Sequence, residues 1–117
     1  MSEVSKAKKE ILATMDITEE EHFPLPAKYF SLLHKKSREG VKIERVIFGS
    51  VKEYKIFLNI IKAKNLFFIG KRTNSKNYKR MIMIDGQKLF LKNKNKFYFT
   101  TDYRYIKEYK IYFCRFK

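Results

Sequence analysis

The sequence predicts an α/β fold in a single domain, residues 1–117: a mixed sheet with two β-α-β units followed by antiparallel hairpins and a C-terminal helix. Three observations predict it. Short apolar runs at 11–17, 41–49 and 66–70 alternate with segments at 26–39 and 51–65 whose apolar residues recur at helical spacing. Turn-forming residues then divide three strand-length runs before a last helical rhythm. The composition, 44% hydrophobic and 16% aromatic with four Gly and two Pro, is that of one globular core that folds unaided.

Residues 2–9 are charged and read as a frayed or helical lead into the chain. Ile11 to Ile17 is a buried strand, being short, apolar and closed by acids, and Glu19, Glu20 and Glu21 form a solvated turn. Pro26 suits a helix start because its fixed φ and missing N–H cost nothing in the first turn. Tyr29, Phe30, Leu32 and Leu33 give that helix its apolar face, and Gly40 ends it. The strand at 41–49 begins in alternation and ends in a continuous apolar run, so one end is half exposed and the other lies deep in a sheet.

Ser50 and Glu53 form a capping-box pattern for the second helix, whose stripe is Val51, Tyr54, Phe57, Leu58 and Ile61, widened by Ile56 and Ile60. Leu66 to Gly70 reads as a third strand. Asp85-Gly86, between Met81–Ile84 and Lys88–Leu91, signals a two-residue hairpin because both positions tolerate positive φ. A turn at Asn93-Lys94-Asn95 leads to Phe97-Tyr98-Phe99, and Thr101 or Asp102 caps a helix carrying Tyr105, Ile106, Tyr109, Tyr112, Phe113 and Phe116. Right-handed crossovers in the two β-α-β units, with the final helix added, place helices on both faces.

Charge is distributed unevenly. Residues 1–50 carry 9 basic and 8 acidic side chains, whereas residues 51–117 carry 18 and 4, so +14 of the net +15 lies in the second part. Such a field concentrates polyanions and is expected of a surface that meets nucleic acid, an anionic membrane or a phosphorylated ligand, of which nucleic acid or a phosphorylated ligand is the expected partner. The plainer reading is a Lys-rich, thermophile-like composition that only solvates the surface.

The single Cys114 forms no internal disulfide and has no metal-ligand spacing around it, so no zinc site is expected and the cytoplasm is the default compartment. No apolar run approaches the roughly 20 residues of a membrane span, and Asp16 breaks the run after Lys6, Lys8 and Lys9 too soon for a signal peptide. There is no Gly-rich phosphate loop and no metal-ligand cluster; no cofactor is expected.

Tyr78-Lys79-Arg80-Met81-Ile82-Met83-Ile84-Asp85-Gly86 resembles the motif of the phospholipase D superfamily, in which His, any residue, Lys, four residues and Asp precede Gly. Tyr78 stands at the nucleophile's position, Arg80 at the lysine's and Asp85 at the aspartate's. The helix at 27–39 and the Gly-Val-Lys-Ile turn into the next strand extend the likeness over roughly residues 10–110. The resemblance implies a phospholipase-D-like lobe whose His attacks phosphorus while cations hold the phosphate oxygens. Neutral imidazole is nucleophilic at pH 7, whereas a phenol of pKa about 10 is mostly protonated and a poor substitute. His22 and His34 have no Lys and Asp at the motif's spacing. The lobe is therefore expected to be catalytically silent, with Arg80 still able to grip phosphate in bidentate geometry.

The expected phosphate-binding set is Tyr78, Lys79, Arg80 and Asp85. Lys71, Arg72, Lys76, Lys92, Lys94, Lys96 and Tyr98 are the expected nucleic-acid contacts, with Asn74, Asn77, Asn93 and Asn95 interleaved as neutral donors. Ordinary readings stand beside these: Asp85 as a hairpin residue, Arg80 as a strand-end charge, Tyr78 as an amphipathic edge residue, and the two loops as solvated.

Three functions follow in order: a non-catalytic phosphate- or nucleic-acid-binding or regulatory module; a small-ligand-sensing and dimerisation domain resembling effector lobes of microbial transcription regulators; and an active phosphodiesterase or nuclease. A helix-turn-helix signal is absent from the sequence, which weakens direct major-groove reading. The surplus apolar residues Ile56, Ile60, Tyr103 and Ile111 predict a homodimer.

Overall fold

The computed structural model describes residues 2–22 and 27–116. Six strands form one mixed sheet in the order β3-β2-β1-β4-β5-β6. In chain order the elements are α1 (Ser2–Ser5), β1 (Glu10–Asp16), α2 (Ile17–His22), α3 (Ala27–Arg38), β2 (Lys42–Phe48), α4 (Val51–Ala63), β3 (Lys71–Thr73), β4 (Met81–Ile84), β5 (Lys88–Asn93), β6 (Lys96–Thr100) and α5 (Tyr103–Cys114). The predicted α/β class, the mixed sheet and the C-terminal helix are all present. The expected turn at Pro24 and helix start at Pro26 lie outside the described residues.

β1 and β2 pair in parallel from Glu10↔Lys42 to Asp16↔Phe48, and β3 extends this parallel half through Val46↔Lys71. β4, β5 and β6 continue from the other side of β1 as an antiparallel half. Period-two alternation then sorts the core. Ile11, Ile43 and Ile84 pack with Tyr29 and Leu33 of α3 and with Val4 of α1, while Met15 and Ile47 meet Phe57 and Ile61 of α4. On the opposite face Leu12, Val46, Phe48, Met81, Met83 and Leu89 pack against Ile106, Tyr112 and Phe113 of α5.

Local chemistry sets the element ends. The Ser50 hydroxyl accepts the N–H of Glu53 at 3.1 Å and the Glu53 carboxylate accepts that of Ser50 at 2.9 Å, completing the capping box expected there. Asp102 caps α5 by accepting the N–H of Arg104. Asp85 (φ 55°) and Gly86 (φ 65°) both adopt positive φ as expected, but the connection has three residues rather than two, since Ile84 pairs with Lys88 and the Gln87 N–H donates to the Ile84 carbonyl at 3.0 Å.

Two expectations change. Leu66–Gly70 is not a strand; the edge strand is Lys71–Thr73, paired with β2. The apolar run instead fills space beneath the helices. Phe68 packs edge-on against Phe57 at 5.5 Å, and Phe67 stacks on His34 at 4.6 Å. The segment after β1 is not a turn either, because Ile17–His22 is helical and its Glu19 N–H donates to Asp16 Oδ1 at 3.1 Å.

Candidate functional site

The carboxyl ends of β1 and β5 and the start of β4 lie at one edge of the sheet, the end where α/β folds place their ligands. An open cleft of about 570 Å³ lies there, lined by Glu19, Tyr78–Arg80, Leu91–Lys94, Tyr105, Glu108 and Tyr109. Sheet pairing brings β4 and β5 together, with the Lys92 N–H donating to the Arg80 carbonyl at 3.2 Å. The loop before β4 is pinned twice. Thr14 donates its hydroxyl to the Lys79 carbonyl at 2.6 Å and accepts the N–H of Met81 at 3.0 Å. The Tyr112 hydroxyl accepts the N–H of Lys79 at 2.8 Å and donates to the Asn77 carbonyl at 2.7 Å.

Four cations converge on the cleft: Lys79, Arg80, Lys92 and Lys94. Glu19 reaches them from α2. Arg80 Nη1 contacts Glu19 Oε1 at 2.5 Å, Lys92 Nζ lies 3.7 Å from Glu19 Oε2, and the Tyr78 hydroxyl donates to Oε1 at 3.3 Å. Aromatic rings back the same cations. Arg80 lies 5.3 Å and Lys92 5.6 Å from the Phe97 centroid, while Lys79 Nζ lies 5.7 Å from that of Tyr109 and 5.3 Å from that of Tyr112. Burial drives the Tyr78 phenol far above its ordinary pKa, and the negative charge of Glu19 pushes it further. It is a protonated hydrogen-bond donor at neutral pH, not a phenolate.

Of the expected phosphate set, Tyr78, Lys79 and Arg80 are brought together and Asp85 is not. Asp85 lies at the far end of β4, about 17 Å away at the rise of an extended strand. Its carboxylate accepts the N–H groups of Lys8 (3.0 Å), Lys9 (2.7 Å) and Glu10 (3.0 Å), which ties the N-terminal segment to the hairpin. Burial alone would raise this carboxyl, but the donors at Lys9, Glu10 and Lys8 outweigh it and hold the pKa below the ordinary value.

The expected nucleic-acid residues divide. Lys92 and Lys94 line the cleft, while Lys96 and Tyr98 lie beside it on β6. Lys76 is exposed in the loop that crosses from β3 to β4. Lys71 and Arg72 belong to β3, the edge opposite β6, and the Arg72 guanidinium is occupied by the Gly49 carbonyl at 3.1 Å.

Sequence reasoning missed Glu19, Tyr105, Glu108 and Tyr109. The Asp16-x-x-Glu19 capping pattern signals a helix start at the first, but not its contacts with Tyr78 and Arg80. Tyr105 and Tyr109 flank Glu108 at the spacing that lines one helix face, but they read as core. Buried Arg45 lies nearby, its guanidinium 5.6 Å and 5.9 Å from the ring centroids of Tyr29 and Phe30, with Nε and Nη1 accepted by no hydrogen-bond partner.

Among the described residues no group of His, Cys, Asp and Glu is arranged to hold a metal ion, and no helix is long and apolar enough to cross a membrane. No family model matches the chain, and no curated protein matches it. Among solved structures the fold is similar to that of TrmBL2, described as an archaeal chromatin protein with a novel mode of DNA binding, with a TM-score of 0.67 and 15% sequence identity. The match covers 98% of this chain and 45% of that one, so the chain spans less than half the length of the protein whose fold it shares.

Proposed function

We propose that the chain is a non-catalytic nucleic-acid-binding or regulatory module that grips phosphates at the Arg80 cleft. The observation that carries this reading is the convergence of Lys79, Arg80, Lys92 and Lys94 on one cleft walled by Tyr78, Tyr105 and Tyr109. Cations take the backbone and aromatic rings offer stacking faces, the pairing that phosphate-bearing polymers require. The +14 surplus of residues 51–117 supplies the long-range attraction. The fold shared with a DNA-binding chromatin protein supports the same class. In this reading the lobe is a silent relative of the phospholipase D type, in which protonated Tyr78 positions a phosphate and does not attack it.

A second reading, a sensor of a small phosphorylated molecule, draws on the cleft's volume of about 570 Å³, which suits a drug-sized ligand. Fluorescence anisotropy with labelled oligonucleotides separates the two. Polymer binding is expected to weaken between about 50 and 200 mM salt, with a log–log slope of roughly −3 to −5 for four to six phosphates. Replacing Lys79, Arg80, Lys92 and Lys94 by Ala flattens the slope. A slope unchanged by these substitutions overturns the proposal, and tight saturable binding of one phosphorylated metabolite without polymer binding favours the sensor.

A further inference from the structure

The face of the sheet that carries α1, α3 and α4 continues past these helices onto β5 and β6. There the ladder sets Lys92 opposite Phe97 and Phe90 opposite Phe99. Phe97 and Phe99 are two positions apart on one strand, so both rings project from this same face. They are 68% and 52% exposed, whereas the apolar residues of β1, β2 and β4 on this face are buried or half-buried. Neither ring hangs free. Phe97 is backed by Arg80 at 5.3 Å and Lys92 at 5.6 Å, and Phe99 lies against Phe90 at 4.7 Å and 43°. Rings held on one side and open on the other are already ordered for stacking, so little side-chain freedom remains to be lost on binding.

We propose that Phe97 and Phe99 form a stacking platform for unpaired bases, and that the partner is single-stranded nucleic acid. This rests on the nucleic-acid reading above and narrows it. Alternate residues of an antiparallel strand lie about 6.8 Å apart, twice the roughly 3.4 Å rise per base along one strand of a duplex. Two neighbouring bases can therefore seat on both rings only after they have separated from each other. Bases inside a duplex are paired and stacked within it and do not reach the rings. The charge is complementary: Arg80 and Lys92 lie behind the first ring, and Lys94 and Lys96 flank it in the turn and strand, where the phosphates between seated bases would run. Sheet aromatics that stack two or three bases are an established way of holding single strands.

The chain contains no tryptophan, so Phe97→Trp places a unique fluorophore on the platform. Oligothymidylate is expected to quench its emission, and a hairpin duplex of equal charge is not. Phe97→Ala and Phe99→Ala are each expected to weaken oligothymidylate binding about tenfold, and Phe99→Ala, whose ring lies against Phe90 and not against a cleft cation, is expected to leave duplex affinity and the salt slope at wild-type values. Phe97→Tyr and Phe99→Tyr keep a ring and are expected to retain affinity, with circular-dichroism melts showing that all variants fold. If the wild type binds oligothymidylate and duplex alike and the Ala variants lose nothing, the platform is wrong while the nucleic-acid reading stands. If the wild type binds neither at low salt, that reading fails and the platform with it. If light scattering finds the Ala variants reduced from dimer to monomer with oligothymidylate affinity intact, the face joins two copies of the chain and the proposal is overturned.

Discussion

In the proposed complex Glu19 holds the place that a phosphate oxygen would contest, because its carboxylate already engages Arg80, Lys92 and Tyr78. Removing its charge releases cations to the ligand. Glu19→Gln is therefore expected to tighten oligonucleotide binding about three- to tenfold and to steepen the salt slope by about one, as read by anisotropy titration. Asp85 acts in the fold at the other end of β4. Its carboxyl pKa is lowered in the folded protein, so ionised Asp85 stabilises the fold above the unfolded value of about 3.9 and loses that contribution as pH falls through the folded value. Asp85→Asn is expected to cost about 1–2 kcal/mol near neutral pH, a gap that closes in thermal melts as pH is taken down through this range. The sequence disclosed Asp85 as a turn residue through its neighbour Gly86. It could not disclose Glu19 as a site residue, since Tyr78 and Arg80 lie about sixty positions away and only the β1–β4 pairing brings them near.

Among the elements, α4 was the most legible, because its start is written in four adjacent residues. Ser50→Ala removes one half of the capping box and is expected to lower stability by about 1 kcal/mol, measurable as a shift of the urea midpoint with unchanged slope. The 66–70 run was misread for the opposite reason. Hydrophobicity records that Leu66, Phe67, Phe68 and Ile69 are partly buried, but not whether a ladder or helix side chains bury them, and here His34, Tyr54 and Phe57 do so. β6 was read correctly as a strand. Its outer position was not visible, since three consecutive aromatics suit a buried strand as well as an edge. Lys94 and Lys96 at its start discourage uncontrolled pairing of that edge.

At the scale of the whole molecule, the order of strands and helices was legible, whereas the meeting of Arg80 with α2 and α5 was not, because it depends on β4 returning beside β1. The uneven charge was also plain in the sequence, but Arg72 shows that not every cation in the basic stretch is available to a ligand. Ile56 and Ile60, one turn apart, leave an apolar strip on α4 that is 47–51% exposed, and Tyr103 and Ile111 are exposed on α5. Pairing of two copies through the α4 strip is the expected outcome. Light scattering at tens of micromolar is then expected to give a dimer mass that Ile56→Glu and Ile60→Glu reduce to a monomer, with thermal stability preserved.

β1, encoded near the start of the chain, pairs with β2 on one side and β4 on the other, and the Asp85 carboxylate binds backbone 75–77 residues earlier. A ribosome extending the chain by about 5–20 residues each second therefore exposes this apolar strand for several seconds before its second neighbour has been made. The parallel half can close early, but the middle of the sheet keeps an open edge until the 81–84 segment emerges. Loop closure over such a distance slows folding, and it is the interval in which a nascent chain most needs a chaperone.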